Sequence, residues 1–121
     1  MTTAAQRLAT GRYGEESAAR WLCGQGMVLL DHNWRCELGE IDLVLRDGEV
    51  LVVCEVKTRA SAAYGSPVEA VTPAKLARLR RLAARWIADR GVRVAEVRFD
   101  LVGVRLDLAE HDRFDHVRGV G

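Results

Sequence analysis

Five side chains in the first half of the chain have the types and spacing to do chemistry together: Glu15, Glu40, Asp42, Glu55 and Lys57. Four of them lie in two neighbouring segments, Gly39-Glu40-Ile41-Asp42-Leu43 and Val53-Cys54-Glu55-Val56-Lys57. Both segments read as β-strands, apolar and partly β-branched with acid and base interleaved. Arg46-Asp47-Gly48-Glu49 between them is a hairpin signal, because both central residues of a type I′ turn need positive φ. With Asp47-Gly48 as the two-residue turn, Arg46 faces Glu49, Asp42 faces Val53 and Glu40 faces Glu55. Facing residues project to one side of a sheet, so this register predicts Glu40, Asp42, Glu55 and Lys57 on a single face. Like charges opposed in this way destabilise a sheet unless protons, basic neighbours or a bound cation compensate them. Carboxylate oxygens suit hard divalent ions such as Mg²⁺ or Mn²⁺. The plain alternative is an exposed hairpin face with scattered charges. The charges interrupt otherwise apolar strands, which favours a site, and a one-residue bulge would turn one strand's residues to the other face.

The elements that must hold these residues are legible around them. A helix is predicted from about Thr10 to Cys23, stopped by Gly24 and Gly26, with residues 1–9 a lead-in or early helix. Glu15 shares a stripe with Ala18, Ala19 and Leu22 and so faces the core, whereas Glu16 is spaced for a surface pair with Arg20. An acid in the first helical turn, favoured by the helix dipole, is the other reading of Glu15. Met27–Leu30 reads as a first strand running into Asp31-His32-Asn33-Trp34-Arg35, a polar loop in which Asn33 and Arg35 sit at a cleft rim or in solvent. After Lys57 a loop is expected over residues 58–71, containing Tyr64-Gly65-Ser66-Pro67, where Arg59 offers a phosphate contact and Tyr64 a stacking surface. Thr72-Pro73 starts a second helix that ends at Arg90 before Gly91. One side of that helix is apolar. The other carries Lys75, Arg78, Arg80, Arg81, Arg85 and Arg90, with Arg78, Arg81 and Arg85 on one face; this is either a solvated face or a polyanion-binding one. A last clear strand, about Val94 to Val104, follows strand and helix and so is expected to run parallel to the third strand. The end from Arg105 is polar with a short edge strand, and its His111 and His116 are expected in solvent. The fold class is α/β: one domain over 1–121, core about 10–104, in the order α-β-β-β-α-β with a mixed sheet.

At 121 residues, 49% hydrophobic and 29% charged, the chain is an ordinary globular domain. Its net charge of +1 neither favours nor excludes nucleic acid. The first residues lack an apolar leader and no run reaches membrane-spanning length, which points to the cytoplasm and no membrane partner. Cys23, Cys36 and Cys54 are too far apart for a zinc site, and Cys54 is expected in the core. Of 18 basic residues only Lys57 and Lys75 are lysine. In so arginine-rich a chain, a lysine two residues after Glu55 marks a place for a compact, titratable ammonium.

The set Asp42 … Glu55-Val56-Lys57 resembles the D…(D/E)-x-K signature of the PD-(D/E)xK nuclease superfamily, and the element order is similar to that superfamily's restriction-endonuclease-like core. The wider pattern, Gly14-Glu15, Gly39-Glu40-Ile41-Asp42-Leu43, Glu55-Val56-Lys57-Thr58-Arg59, Gly65-Ser66-Pro67 and Arg98-Phe99-Asp100, resembles the bacterial YraN-like family over about residues 10–104. Within the superfamily it is nearest to archaeal Holliday-junction resolvases, which also carry an acid on the first helix, matched by Glu15. The superfamily's proline before the first Asp is replaced by Ile41. The resemblance implies a Mg²⁺- or Mn²⁺-dependent endonuclease cutting DNA, branched or damaged, to a 5′-phosphate and a 3′-hydroxyl. It implies Asp42, Glu55 and the Val56 carbonyl as metal ligands with Glu15 and Glu40 completing the set, Lys57 orienting water, and a homodimer for paired cuts. Arg59, Tyr64, Lys75, Arg78, Arg81 and Arg85 would then contact nucleic acid. The alternatives are a DNA-binding module with weak or no hydrolysis, and a protein adaptor of a DNA-processing complex.

Overall fold

The computed structural model describes residues 3–61 and 71–121. Its elements run α1 (Ala4–Gly24), β1 (Val28–Cys36), β2 (Gly39–Asp47), β3 (Val50–Arg59), α2 (Pro73–Arg90), β4 (Glu96–Arg105), a single 3₁₀ turn (Glu110–Asp112) and β5 (Phe114–Val117). The strands form one sheet in the order β1-β2-β3-β4-β5. Among the described residues only β3 and β4 are parallel, the other pairs being antiparallel, so the sheet is mixed as the element order required. The two helices have separate cores. Ala18, Ala19 and Leu22 of α1 pack with Leu43, Leu45, Val52, Cys54, Val56, Val102 and Val104. Leu79, Leu82, Ala83 and Trp86 of α2 pack with Ile41, Val44, Leu51 and Val53.

Local chemistry explains the helix limits. Thr72 Oγ1 accepts the Lys75 N–H at 3.1 Å, Pro73 opens α2 and Gly91 closes it with φ 64°. Helix α1 begins at Ala4, six residues before the expected Thr10, because Thr3 and Gln6 form a reciprocal capping box. Gly14, which weakens the helical pattern, is required there: a Cβ at this position would lie 1.8 Å from Thr58 Oγ1. That close approach seats α1 on β3 directly beside Glu15.

Three expectations are corrected. First, the β2–β3 hairpin pairs Asp47 with Val50, so its turn residues are Gly48 and Glu49 and not Asp47 and Gly48. Gly48 has φ 61° and no positive φ occurs at Glu49, which suits a turn with glycine at its first central position. Second, β1 does not stop before the polar stretch but continues through it to Cys36. Third, the His116 side chain is only 7% exposed and is bonded through Nε2 to Asp100 Oδ2 at 2.8 Å, while His111 is exposed as expected. Leu101–Val104 of β4 pairs with β5, which carries His116 into the sheet.

Candidate functional site

The one-residue change at the hairpin turn moves both strands together, so it leaves side-chain parity intact; the faces are decided further along. Leu43 and Leu45 belong to the α1 core, but Ile41, two residues before Leu43, belongs to the α2 core. The alternation therefore slips at Asp42. On β1, His32 pairs with Leu43 and Trp34 with Ile41 in unbroken register, Trp34 packing on the α2 core; the β1–β2 register itself shifts earlier, between Leu29 and Asp31. Asn33, between His32 and Trp34, has φ 49°, a left-handed conformation that asparagine tolerates better than most residues. The β2–β3 ladder ends at Leu43 and Cys54, and just beyond it Asp42 Oδ2 accepts the Val56 N–H at 2.8 Å. A carboxylate thus substitutes for a backbone carbonyl where two central strands part.

This seam gathers charge from both sides of the sheet. Glu15 of α1, Glu40 and Asp42 of β2 each bring a carboxylate oxygen to within 4.8 Å of the others. Asn33 Nδ2 donates to Glu15 Oε2 and, at 3.1 Å, to Glu40 Oε1, tying the helix acid to the strand acid. Glu40 is also met by the exposed Arg35 at 3.1 Å. Glu55 turns instead to α2, where its Oε1 lies 2.9 Å from Lys75 Nζ, both side chains largely buried. The single acidic face expected from the hairpin is therefore divided: Glu15 and Glu40 on the α1 side, Glu55 with Lys75 on the α2 side, and Asp42 between them. Burial, with Glu15, Glu55 and Glu40 nearby, pushes Asp42 up from 3.8 to about 7 against the pull of the Val56 N–H. Burial and the neighbouring Lys75 lower the Lys57 ammonium below its ordinary range, while Glu55 and Asp42 act the other way. Glu55 Oε2 is buried without a hydrogen-bond partner among the described residues.

The expected nucleic-acid contacts do not stay together. Arg78 and Arg81 are exposed on α2, as is Arg80. Arg85 is bound to Glu37 of the β1–β2 turn at 2.6 Å and to Asp89 at 3.4 Å, so it braces α2 against that turn. Lys75 belongs to the carboxylate site and not to the arginine face. Arg59 ends β3 beside Lys57, and Tyr64 and the rest of 62–70 lie outside the described residues. The sequence reading placed Lys75 among the nucleic-acid contacts and not at the carboxylates, and gave Asn33 only a rim. Lys75 carried a signal: the two lysines of an arginine-rich chain meet at one carboxylate.

An α/β protein with one mixed sheet, and with carboxylates and two lysines gathered at a break in it, is the class that fold and site define. The chain belongs to the family described as Uncharacterised protein family UPF0102, whose model matches residues 14–104. This is the YraN-like family that the residue pattern resembles, and the matched span holds Glu15, Asn33, Glu40, Asp42, Glu55, Lys57 and Lys75. The chain is 65% identical over 118 residues to a UPF0102 protein of a Nocardioides species, covering 98% of this chain and 95% of the relative. Identity to UPF0102 proteins of Beutenbergia cavernae and Streptomyces coelicolor is 57% in each case, with 93% and 94% of this chain covered, and 96% and 89% of the relatives. No helix among the described residues is long and apolar enough to cross a membrane.

Proposed function

We propose that this protein is a metal-dependent nuclease of the PD-(D/E)xK kind that hydrolyses DNA phosphodiester bonds. The observation that carries the reading is the convergence of Glu15 and Glu40 on the seam acid Asp42, all within 4.8 Å. Such a cluster calls for a counter-cation, and the unpartnered, buried Oε2 of Glu55 beside it is an oxygen ready to serve one. The donor set consists of oxygens alone and fits a hard divalent ion. Held by Asp42, Glu15 and Glu40, with Glu55 and the Val56 carbonyl alongside, Mg²⁺ or Mn²⁺ would polarise the scissile phosphate and lower the pKa of a bound water. The Val56 N–H fixes one oxygen of Asp42, and Asn33 fixes the spacing of Glu15 and Glu40. Lys75 holds Glu55 in place. Lys57 would orient the attacking water or stabilise the charge that develops on the phosphate.

Calorimetric titration of Mn²⁺ into wild type and Glu55→Gln, followed by incubation with branched, flapped and single-stranded DNA in Mg²⁺, tests the reading. Metal binding that weakens in the variant, with cleavage by the wild type, supports it. Wild type that binds no Mn²⁺, with DNA or without, sinks it. The second reading, a DNA-binding module, is favoured by the exposed Arg78, Arg80 and Arg81 on α2. It requires DNA affinity with steep salt dependence, the same with and without metal.

A further inference from the structure

Glu15 stands between two cavities of opposite character. One, about 500 Å³, runs along α1 and the end of β3 and is edged by Arg7, Lys57, Thr58 and Arg59. The other, about 340 Å³, lies between α1 and β1. Its walls are Ala19, Leu29 and Leu43, and His32, Asn33 and Arg20 stand at its polar side. Phosphate suits the first cavity, where cations and hydroxyls meet it. It does not suit the second, because Glu15, which lines both, is joined there by Glu16 and faced by fewer cations. A neutral, flat ligand with polar edges suits the second: apolar walls take its faces, and imidazole and guanidinium groups offer stacking and hydrogen bonds. Its size falls within the range of small-ligand pockets. The pocket is also wired to the carboxylates. His32 Nδ1 lies 3.3 Å from Asn33 Oδ1, and the Asn33 amide nitrogen bonds both Glu15 and Glu40.

We propose that this second cavity receives the unpaired base of the nucleotide beside the attacked phosphate, so that the substrate is DNA with single-stranded or unstacked nucleotides at the cleavage point. The proposal rests on the nuclease reading, which puts the scissile phosphate at Glu15 and Asp42. With the backbone in the basic groove, a base reaches a slot on the far side of Glu15 only after it has left the duplex stack. Unstacking is least costly where the base is already unpaired, at a fork, flap or single-stranded end. The pocket therefore selects structure and not sequence: its apolar walls accept any base face.

The test uses fluorescein-labelled forked DNA and a fully paired duplex of matched sequence, with Ca²⁺ in place of Mg²⁺ and binding read by anisotropy. Wild type is expected to prefer the fork by about tenfold, the scale of one stacked base. Leu29→Trp, which fills the slot, and the surface change Arg20→Ala each reduce that preference while leaving duplex affinity and the Mn²⁺ titration as in wild type. Equal affinity for fork and duplex, a preference that survives both variants, or no DNA binding at all overturns the proposal. A fork preference erased by the variants in a protein that binds no Mn²⁺ would keep the pocket and remove the nuclease reading. Mn²⁺ binding without fork preference would do the reverse.

Discussion

Asp42 is held where a backbone amide and a cluster of carboxylates meet, and its titration follows from that. Its native pKa of about 7 lies above the usual 3.8, so the folded protein binds a proton that the unfolded chain has already released. Stability from this group is complete below about pH 4 and is lost as pH rises through about 7. Asparagine can still accept the Val56 N–H but does not ionise. In EDTA, Asp42→Asn is expected to match wild type near pH 4 and to exceed it at pH 8 by on the order of 2–4 kcal/mol. Urea unfolding at the two pH values checks this. Mn²⁺ should stabilise wild type at pH 8 and leave the variant unchanged. Lys75 makes a second prediction at this scale. Its ammonium already neutralises one oxygen of Glu55, in competition with any metal. Lys75→Met is expected to tighten Mn²⁺ binding roughly three- to tenfold in calorimetry, opposite to Glu55→Gln, because it removes a cation from the site.

At the scale of elements, the approach of α1 to β3 decides whether Glu15 reaches the seam. Gly14→Ala would set a Cβ 1.8 Å from Thr58 Oγ1 and 2.9 Å from Thr58 Cβ, so the helix must shift. The expected cost is about 1–3 kcal/mol in urea unfolding, with weaker Mn²⁺ binding. Adding Thr58→Gly should restore much of both, since it removes the opposing atoms. On α2, Arg78→Ala and Arg81→Ala should each lower DNA affinity and reduce the salt slope by about one, with the Mn²⁺ titration unchanged. Most of the elements were legible because their signals are local: Asp47-Gly48 for the hairpin, Thr72-Pro73 and Gly91 for α2, the strand–helix–strand order for the parallel β3–β4 pair. The candidate site was legible in its membership but not in its arrangement. Periodicity puts Glu40, Asp42 and Glu55 on one face only while both strands stay regular. Asn33 in a left-handed conformation and the slip at Asp42 are tertiary solutions that no spacing rule encodes. Lys75 fell under the arginine stripe of its helix, because a helical wheel does not reveal which strand acid stands opposite.

For the whole molecule, the chain's far end is fastened by a second buried acid that does unlike work. Asp100 is almost fully buried and receives Arg98 through two hydrogen bonds, His116 at 2.8 Å and the Gly119 N–H at 3.0 Å. Burial alone would raise its pKa; these donors overcome it and hold the carboxyl below its usual value. Stability from Asp100 is therefore present above pH 4 and is lost as pH falls through its lowered native value. Asp100→Asn is expected to cost about 3 kcal/mol at pH 7, the scale of a broken buried pair, and less at pH 3. Urea midpoints at both pH values check it. The two acids thus bend the pH–stability curve in opposite directions, Asp100 at its acid limb and Asp42 towards neutrality.

The bond from the Val56 amide to Asp42 has a consequence for spectroscopy. Val56 is the residue between Glu55 and Lys57, and its N–H donates to a side chain, the Asp42 carboxylate. The proton resonance of this single backbone amide therefore reads the charge on Asp42 directly. Followed in a nitrogen-correlated NMR spectrum, it is a gauge, needing no added probe group, of proton and cation occupancy at the seam, located among the residues whose state it reports.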